Sequence, residues 1–121
     1  MEESILKSIK KLIGGFGPDD KDFDTDLIMH INTALMTIMQ EWHGMDHAFF
    51  IEDDSATWSD LLGDDNTDYE AVKTLIYLKV RMLFDPPTNS TLVELMNEQI
   101  RDLEWRLYIW KDTERIDEAS K

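Results

Sequence analysis

The feature that most constrains the fold is an apolar run that stops at a double proline. Residues 72–84 (VKTLIYLKVRMLF) are apolar on almost every face of a helix, and Pro86 and Pro87 follow closely. A helix that is apolar nearly all round is normally buried on several sides. Proline lacks an amide hydrogen and disfavours helical geometry in the residue before it. We therefore predict a central helix ending near Phe84, with other helices packed around it. Its buried residues are predicted to be Val72, Ile76, Val80 and Leu83.

Three further helices follow from apolar spacing and from capping signals. Apolar residues recur at three- and four-residue intervals over 3–13, 24–42 and 90–110, and the central helix spans about 67–84. Glycines at 14, 15 and 17 end the first of these helices. A serine or threonine three residues before an acidic residue is typical of a helix start. This spacing occurs at Thr57/Asp60, Thr67/Glu70 and Thr91/Glu94, and the first of them predicts a single helical turn at 57–62.

One segment does not fit a helical pattern. Gly44 interrupts the spacing, and residues 48–51 (AFFI) form a short β-prone run inside the loop 43–56. The predicted fold class is therefore all-α: a compact bundle of about four helices with a central buried helix and one irregular loop with room for a short strand. Residues 1–110 would form one helical domain, and 111–121 would form a polar C-terminal tail that is frayed in the free protein.

Composition excludes several classes of protein. The chain has 121 residues, no cysteine and a formal net charge of −14. Without cysteine there is no disulfide, no thiolate nucleophile and no zinc–thiolate site. No apolar stretch is long enough to span a membrane, and Glu2 and Glu3 spoil the basic start of a signal peptide, so neither is expected. A surface this acidic repels DNA phosphates and anionic membranes, which argues against binding to either.

Candidate metal and catalytic motifs fail on their spacing. His43 and His47 are four residues apart, but Gly44 lies between them and the metalloprotease glutamate is missing. Residues 64–68 (DDNTD) resemble the start of a calcium loop, yet Tyr69 and Leu75 stand where that loop needs glycine and glutamate. No phosphate-binding loop or nucleophile elbow occurs. We therefore expect no enzyme activity, no metal and no cofactor.

The aromatic residues are the remaining candidates for function. Phe49, Phe50 and Trp58 lie in or beside the acidic loop. Near the end of the last helix, Trp105 and Tyr108 share one face, whereas Leu107 and Trp110 share another. Core packing is one interpretation, especially for Trp58 and Trp105. The other is a partner surface, because one helix end cannot easily bury two faces against a single neighbour. The candidate partner-binding residues are Trp105, Arg106, Tyr108, Trp110, Lys111, Arg115, Phe49, Phe50 and Trp58.

Four segments, in this order, resemble the head–tail connector (adaptor) proteins of tailed bacteriophages and prophages. They are 23–28 (FDTDLI) with 31–35 (INTAL), 57–63 (TWSDLLG), 72–87 (VKTLIYLKVRMLFDPP) and 103–107 (LEWRL). The likeness spreads over roughly residues 5–110, and the loop at 42–47 (WHGMDH) departs from the glycine-richer pattern of the family. The resemblance implies a compact α-helical subunit without catalytic residues.

The resemblance also implies partners and a location. Such a subunit would form a ring with copies of itself, beneath the portal protein and above a downstream tail or stopper protein. DNA would pass through the ring as cargo without specific binding. The protein would be made in the cytoplasm of a bacterial host and end in the virion, at the head–tail junction. The alternative from another class is an acidic regulatory protein or DNA mimic that blocks a DNA-binding partner. It accounts for the charge but not for the aromatic end of the last helix.

Overall fold

The fold is all-α, as the sequence predicts. The computed structural model describes residues 3–17, 20–41, 49–63 and 69–119, with side chains described as far as Leu107 except that of Glu41. Four substantial helices and one short helix make up the described chain. In chain order they are α1 (Ile5–Ile13), α2 (Asp24–Glu41), α3 (Trp58–Leu62), α4 (Tyr69–Phe84) and α5 (Ser90–Ala119).

Helix α1 begins and ends where its sequence directs. The Ser4 hydroxyl oxygen accepts a hydrogen bond from the Lys7 amide at 3.2 Å, which satisfies one free N–H of the first turn. At the other end Gly14 has a φ of 82°, a left-handed conformation that glycine adopts without the steric penalty of a Cβ. The first turn buries Ile5, Leu6 and Ile9, so α1 is anchored to the bundle through this face.

Helix α4 is the centre of the bundle and contacts α1, α2 and α5. Val72, Ile76 and Val80 are fully buried, as predicted. The prediction for Leu83 is wrong, because its side chain is 51% exposed. Leu83 lies in the last turn before the double proline, where the neighbouring helices no longer cover this face of α4. The helix ends at Phe84, as predicted from Pro86 and Pro87.

The hydrophobic core joins α1, α2 and α4, and it also includes Trp58 and Leu61 of α3 and Leu107 of α5. Its buried members include Leu27, Ile31, Leu35 and Ile38 from α2, and Leu107 is the only fully buried member from the described part of α5. Helix α5 also buries Met96, outside the main cluster, and its Glu104 carboxylate lies 3.7 Å from the Lys79 ammonium of α4. Ile100 and Leu103 of α5 also pack against the core as partly buried side chains, so α5 is held by an apolar contact and one ion pair.

The loop before α3 contains no strand among its described residues. The only β-type pairing there is an isolated bridge between Ser4 and Thr57. Residues 49–51 are held instead by a side chain: the Asn32 amide donates to the Ile51 carbonyl at 2.9 Å, and the Ile51 amide donates to the Asn32 Oδ1 at 2.8 Å. This pair, the Asn32 clamp, supplies the two hydrogen bonds that a neighbouring strand would have supplied. The proposed short strand is therefore corrected to a clamped extended segment.

Two of the predicted helix starts can be compared with the structure. Thr57 and Asp60 form the predicted capping box, with hydrogen bonds of 3.2 and 3.0 Å in the two directions. For α5 the predicted cap at Thr91 is wrong. The Asn89 side chain accepts hydrogen bonds from the amides of Thr91 at 2.8 Å and Leu92 at 3.3 Å, so Asn89 caps the helix, which begins at Ser90. The Thr67 box lies outside the described residues.

Helix α5 is longer than the sequence pattern predicts. Its backbone continues through the segment 111–119 to Ala119, well beyond the predicted end at residue 110. With 30 residues, α5 is about 45 Å long at 1.5 Å per residue. The polar composition after Trp110 removes the apolar periodicity, but it contains no glycine or proline to stop the helix.

Candidate docking surfaces

The described residues contain no candidate metal site. No group of three or more histidine, cysteine, aspartate or glutamate side chains in this part of the chain could hold a metal ion. The His43/His47 pair and the acidic segment 64–68 both lie outside the described residues. Within the described helices, none is long and apolar enough to cross a membrane. What remains to be placed is the set of aromatic and basic residues that the sequence singles out.

Trp58 is a core residue. It is fully buried, and its indole Nε1 donates a hydrogen bond to the Ser8 Oγ at 3.0 Å. The Ser8 hydroxyl in turn donates to the Ser4 carbonyl at 2.7 Å, and the ring of Tyr69 lies edge-on at 5.9 Å. Trp58 thus pins α3 onto α1 and α4. In the single subunit Trp58 presents no surface to a partner.

Phe49 and Phe50, which precede the clamped Ile51, differ in their exposure. Ile51 is buried and Phe49 packs against the core, with its amide directed at the Met39 sulfur at 3.2 Å. Side chains alternate along an extended segment, and Phe50 accordingly points away from the core and is 52% exposed. Met29 and Met36 of α2 are also exposed. Of the two phenylalanines, Phe50 is the one that a partner could reach.

The described part of the C-terminal half of α5 presents Trp105 and Arg106. Trp105 is 60% exposed, so the core-packing interpretation is wrong for this residue. The Arg106 guanidinium lies 3.2 Å from the Asp102 carboxylate, and both side chains are largely solvated. The next residue, Leu107, is buried. The side chains of Tyr108, Trp110, Lys111 and Arg115 lie outside the described set, although the α5 backbone runs through all four positions.

A further candidate surface, which the sequence pattern did not single out, is a cleft lined by lysines that we call the lysine cleft. It has a volume of about 580 Å³ and lies between α1, the loop after it and the start of α2. The basic residues that line it are Lys7, Lys10, Lys11 and Lys21, over an apolar wall of Leu6 and Phe16. The signal was present in the sequence, since lysines at 7, 10 and 11 occupy one side of α1 in an otherwise acidic chain.

The four lysines of this cleft are not equivalent. Lys10 is largely buried and is 2.7 Å from the Asp24 carboxylate, and it also donates to the Asp20 carbonyl. Its ammonium lies 5.5 Å from the centre of the Phe16 ring. Lys7 has a loose pair with Asp54 at 3.7 Å, and both side chains are well exposed. Lys10 therefore holds the cleft together, whereas the remaining lysines face solvent.

A phenylalanine cluster closes one end of this region. Phe16 follows α1, Phe23 precedes α2 and Phe84 ends α4, and their ring centres are 5.6 to 6.2 Å apart. Edge-on and offset aromatic pairs at these distances are favourable beyond the burial of their area. Phe23 nevertheless remains nearly half exposed. Phe16 and Phe23 stand on either side of Lys21 in the sequence, and both rings contact Phe84 at the end of α4.

The comparisons with known proteins identify the family. The family model described as phage connector protein matches residues 5–114, which takes in α1 to α4 and most of α5. No curated protein and no solved structure matches the chain. The matched range includes all four segments that carry the sequence resemblance, as well as Trp105 and Phe50. The chain belongs to the phage connector protein family, whose members are structural proteins of the phage particle.

Proposed function

We propose that this chain is a head–tail connector subunit that forms a ring beneath the portal and extends the DNA channel toward the tail. The observation that carries the proposal is the family match over residues 5–114. The proposed partners are further copies of the chain, the portal protein and a downstream tail or stopper protein. DNA is the passing cargo, and the proposed role includes no catalytic step. The site of action is the head–tail junction of the virion.

The charge of the chain suits a channel wall. Each subunit carries a formal net charge of −14, so a ring of subunits would present a strongly negative surface. Duplex DNA carries about one negative charge per 1.7 Å of helix axis, and like charges repel over a screening length of roughly 8–10 Å near physiological salt. A wall of this kind guides DNA through without holding it. A protein that binds DNA would need the opposite sign of charge.

The C-terminal half of α5 is the proposed portal contact. Trp105 is exposed beside Arg106, and the sequence continues with Tyr108, Trp110, Lys111 and Arg115 on the same helix. Exposed tryptophan, tyrosine and arginine are the residues that most often dominate the binding energy of protein interfaces. The positive side chains would orient this end toward an acidic patch on the partner. The alternative contact is the segment 49–58, in which Phe50 is the accessible aromatic residue.

A truncation after Tyr108 tests the portal contact. The shortened protein keeps Leu107, the described core residue of α5, so it should retain most of its helical circular dichroism. We expect it to be lost from complexes with the portal in a pull-down, followed by imaging of the complex. The matched control is Phe50→Ala in the full chain, which should join the portal normally. If the truncated protein joins as well and Phe50→Ala does not, the contact lies in the 49–58 segment.

Assembly state separates a connector from a DNA mimic. A connector should appear as rings, alone or on the portal, when examined by native mass spectrometry and electron microscopy. A mimic should remain a monomer or dimer and should bind a DNA-binding protein in competition with duplex DNA. Failure to form rings in the presence of the portal would remove the support for the connector role.

A further inference from the structure

We propose that neighbouring subunits of the ring contact each other head to tail, with the lysine cleft of one subunit receiving the first turns of α5 of the next. The occupant is a second copy of this chain. The inference rests on the proposed ring, and it adds which two surfaces meet. We call the second surface the acidic ridge, and it consists of Leu92, Glu94, Leu95 and Glu98.

The lysine cleft is the place where an acidic partner would be attracted. Four of the 12 lysines and arginines of the chain line it, against three aspartates, whereas the whole chain has 26 acidic residues. Asp24 is already paired with Lys10 at 2.7 Å. Lys11 and Lys21 are exposed and form no ion pair with any described residue. Positive charge and the partly exposed Phe16 ring thus face the same opening.

The acidic ridge is complementary to the lysine cleft in its charge and in its apolar side chains. Residues 90–100 contain two glutamates and no basic residue. Glu94 and Glu98 are exposed and lie four residues apart, on one side of the helix. Leu92 and Leu95 lie beside them, and each is half exposed. An amphipathic helix that offers leucines and carboxylates together matches a cleft that offers lysines and apolar side chains.

The arrangement explains why a copy of the chain is favoured over DNA as the occupant. The net charge of −14 opposes the approach of a polyanion such as DNA. A second copy carries the same net charge, but its acidic ridge brings only two carboxylates to the cleft, together with two leucines that gain apolar burial against Phe16. Two such glutamates can be matched by Lys11 and Lys21 without displacing the Lys10–Asp24 pair.

The lysine cleft and the acidic ridge lie on different elements, which bears on the symmetry of the assembly. The cleft belongs to α1 and the start of α2, whereas the ridge belongs to α5, and α1 and α5 each pack on α4. When each subunit uses its cleft on one neighbour and its ridge on another, the contact is heterologous and generates closed rings or open filaments. The proposed contact therefore builds the kind of assembly that a connector needs.

Cysteine cross-linking tests the contact directly, because the chain has no cysteine of its own. The variant Lys11→Cys/Glu98→Cys is assembled with the portal and treated with a short bis-maleimide. We expect a ladder of covalent oligomers that ends at the full ring. Each single variant should stay monomeric on a denaturing gel. Thr33→Cys/Glu98→Cys, which uses an exposed position of α2 away from the cleft, is the matched control and should also stay monomeric.

Charge reversal gives an independent measurement. Lys11→Glu should raise the subunit concentration needed for half-maximal ring formation by about tenfold, since it places like charges across the contact. Adding Glu98→Lys in the same chain should restore assembly, because every interface then has the opposite pair. Adding Glu70→Lys instead gives the same net charge but lies outside the ridge, and it should not restore assembly.

The outcomes separate this inference from the proposed function. Rings that form with the wild-type chain but give no ladder, or give only cross-linked dimers, overturn the head-to-tail contact and leave the connector role standing. Rescue by Glu70→Lys as well as by Glu98→Lys would also overturn it, because only net charge would then matter. If the wild-type chain forms no ring with the portal, the proposed function fails, and this inference fails with it.

Discussion

The Asn32 clamp allows a stability prediction to be worked from the structure. Asn32→Ala removes both hydrogen bonds to the Ile51 backbone, which measure 2.9 and 2.8 Å. Ile51 is only 2% exposed, so its amide and carbonyl cannot readily bond to water instead. Leaving a buried polar group unsatisfied costs about 1–3 kcal/mol. With two groups and partial relaxation of the loop, we expect a loss of roughly 2–4 kcal/mol in unfolding free energy.

The expected change is large enough to measure in two ways. For a domain of this size, 1 kcal/mol corresponds to about 4 °C in Tm, so Tm should fall by roughly 8–16 °C. Chemical denaturation followed by circular dichroism gives the free energy directly. Amide exchange at Ile51 should accelerate even under conditions where the rest of the core remains protected.

A neighbouring residue provides the control. Thr33 is exposed, and its hydroxyl bonds only to the Met29 carbonyl of its own helix at 3.0 Å. Thr33→Ala should change stability by no more than about 0.5 kcal/mol. If Asn32→Ala costs no more than Thr33→Ala, the clamp does not stabilise the loop and the reasoning is refuted.

Four further outcomes are expected. Ile76→Asp puts an unpaired charge at the fully buried centre of α4 and should abolish cooperative thermal unfolding; a retained sharp transition would contradict the central role of this helix. Trp58→Phe removes the hydrogen bond to Ser8 and should cost about 1–3 kcal/mol in denaturant titration. Calorimetric titration with duplex DNA, calcium or zinc should show no sub-micromolar binding at physiological salt. Hydrogen bonds from the Ser55 side chain and amide hold the pKa of Asp53 below its ordinary value. The stabilisation by these hydrogen bonds is therefore present above the ordinary pKa of an aspartate and is lost as the pH falls through the lowered pKa of Asp53. Ser55→Ala should raise the pKa of Asp53, as measured by NMR titration.

Local signals account for the parts of the fold that were predicted correctly. The double proline marks the end of α4, Gly14 marks the end of α1 and the Thr57/Asp60 pair marks the start of α3, and the structure has all three. Each signal acts within four residues of its own position. Its physical effect therefore does not depend on how the remainder of the chain packs.

Contacts between distant residues account for most of what was not predicted. Asn32 and Ile51 are 19 residues apart, and nothing in either local sequence indicates that an amide side chain would replace a strand partner. The exposure of Leu83 depends on where the neighbouring helices end. Lys21 lines the lysine cleft together with Lys7, Lys10 and Lys11, which lie on a different element, α1. The spacing of apolar residues along the sequence does not indicate any of these contacts.

The attachment of α5 to the remainder of the bundle has a consequence for dynamics. In the described part of the chain, the extensive contacts of α5 are with α4, and Leu107 is its one buried residue in the main core, with Ile100 and Leu103 only partly buried against it. Proteins open in cooperative units, and a unit with few buried links opens at lower free energy than the whole domain. We therefore expect native-state hydrogen exchange to reveal α5 as a separate unit that detaches while α1, α2 and α4 stay folded. A subunit of this kind could dock first through its rigid three-helix part and seat its long helix afterwards.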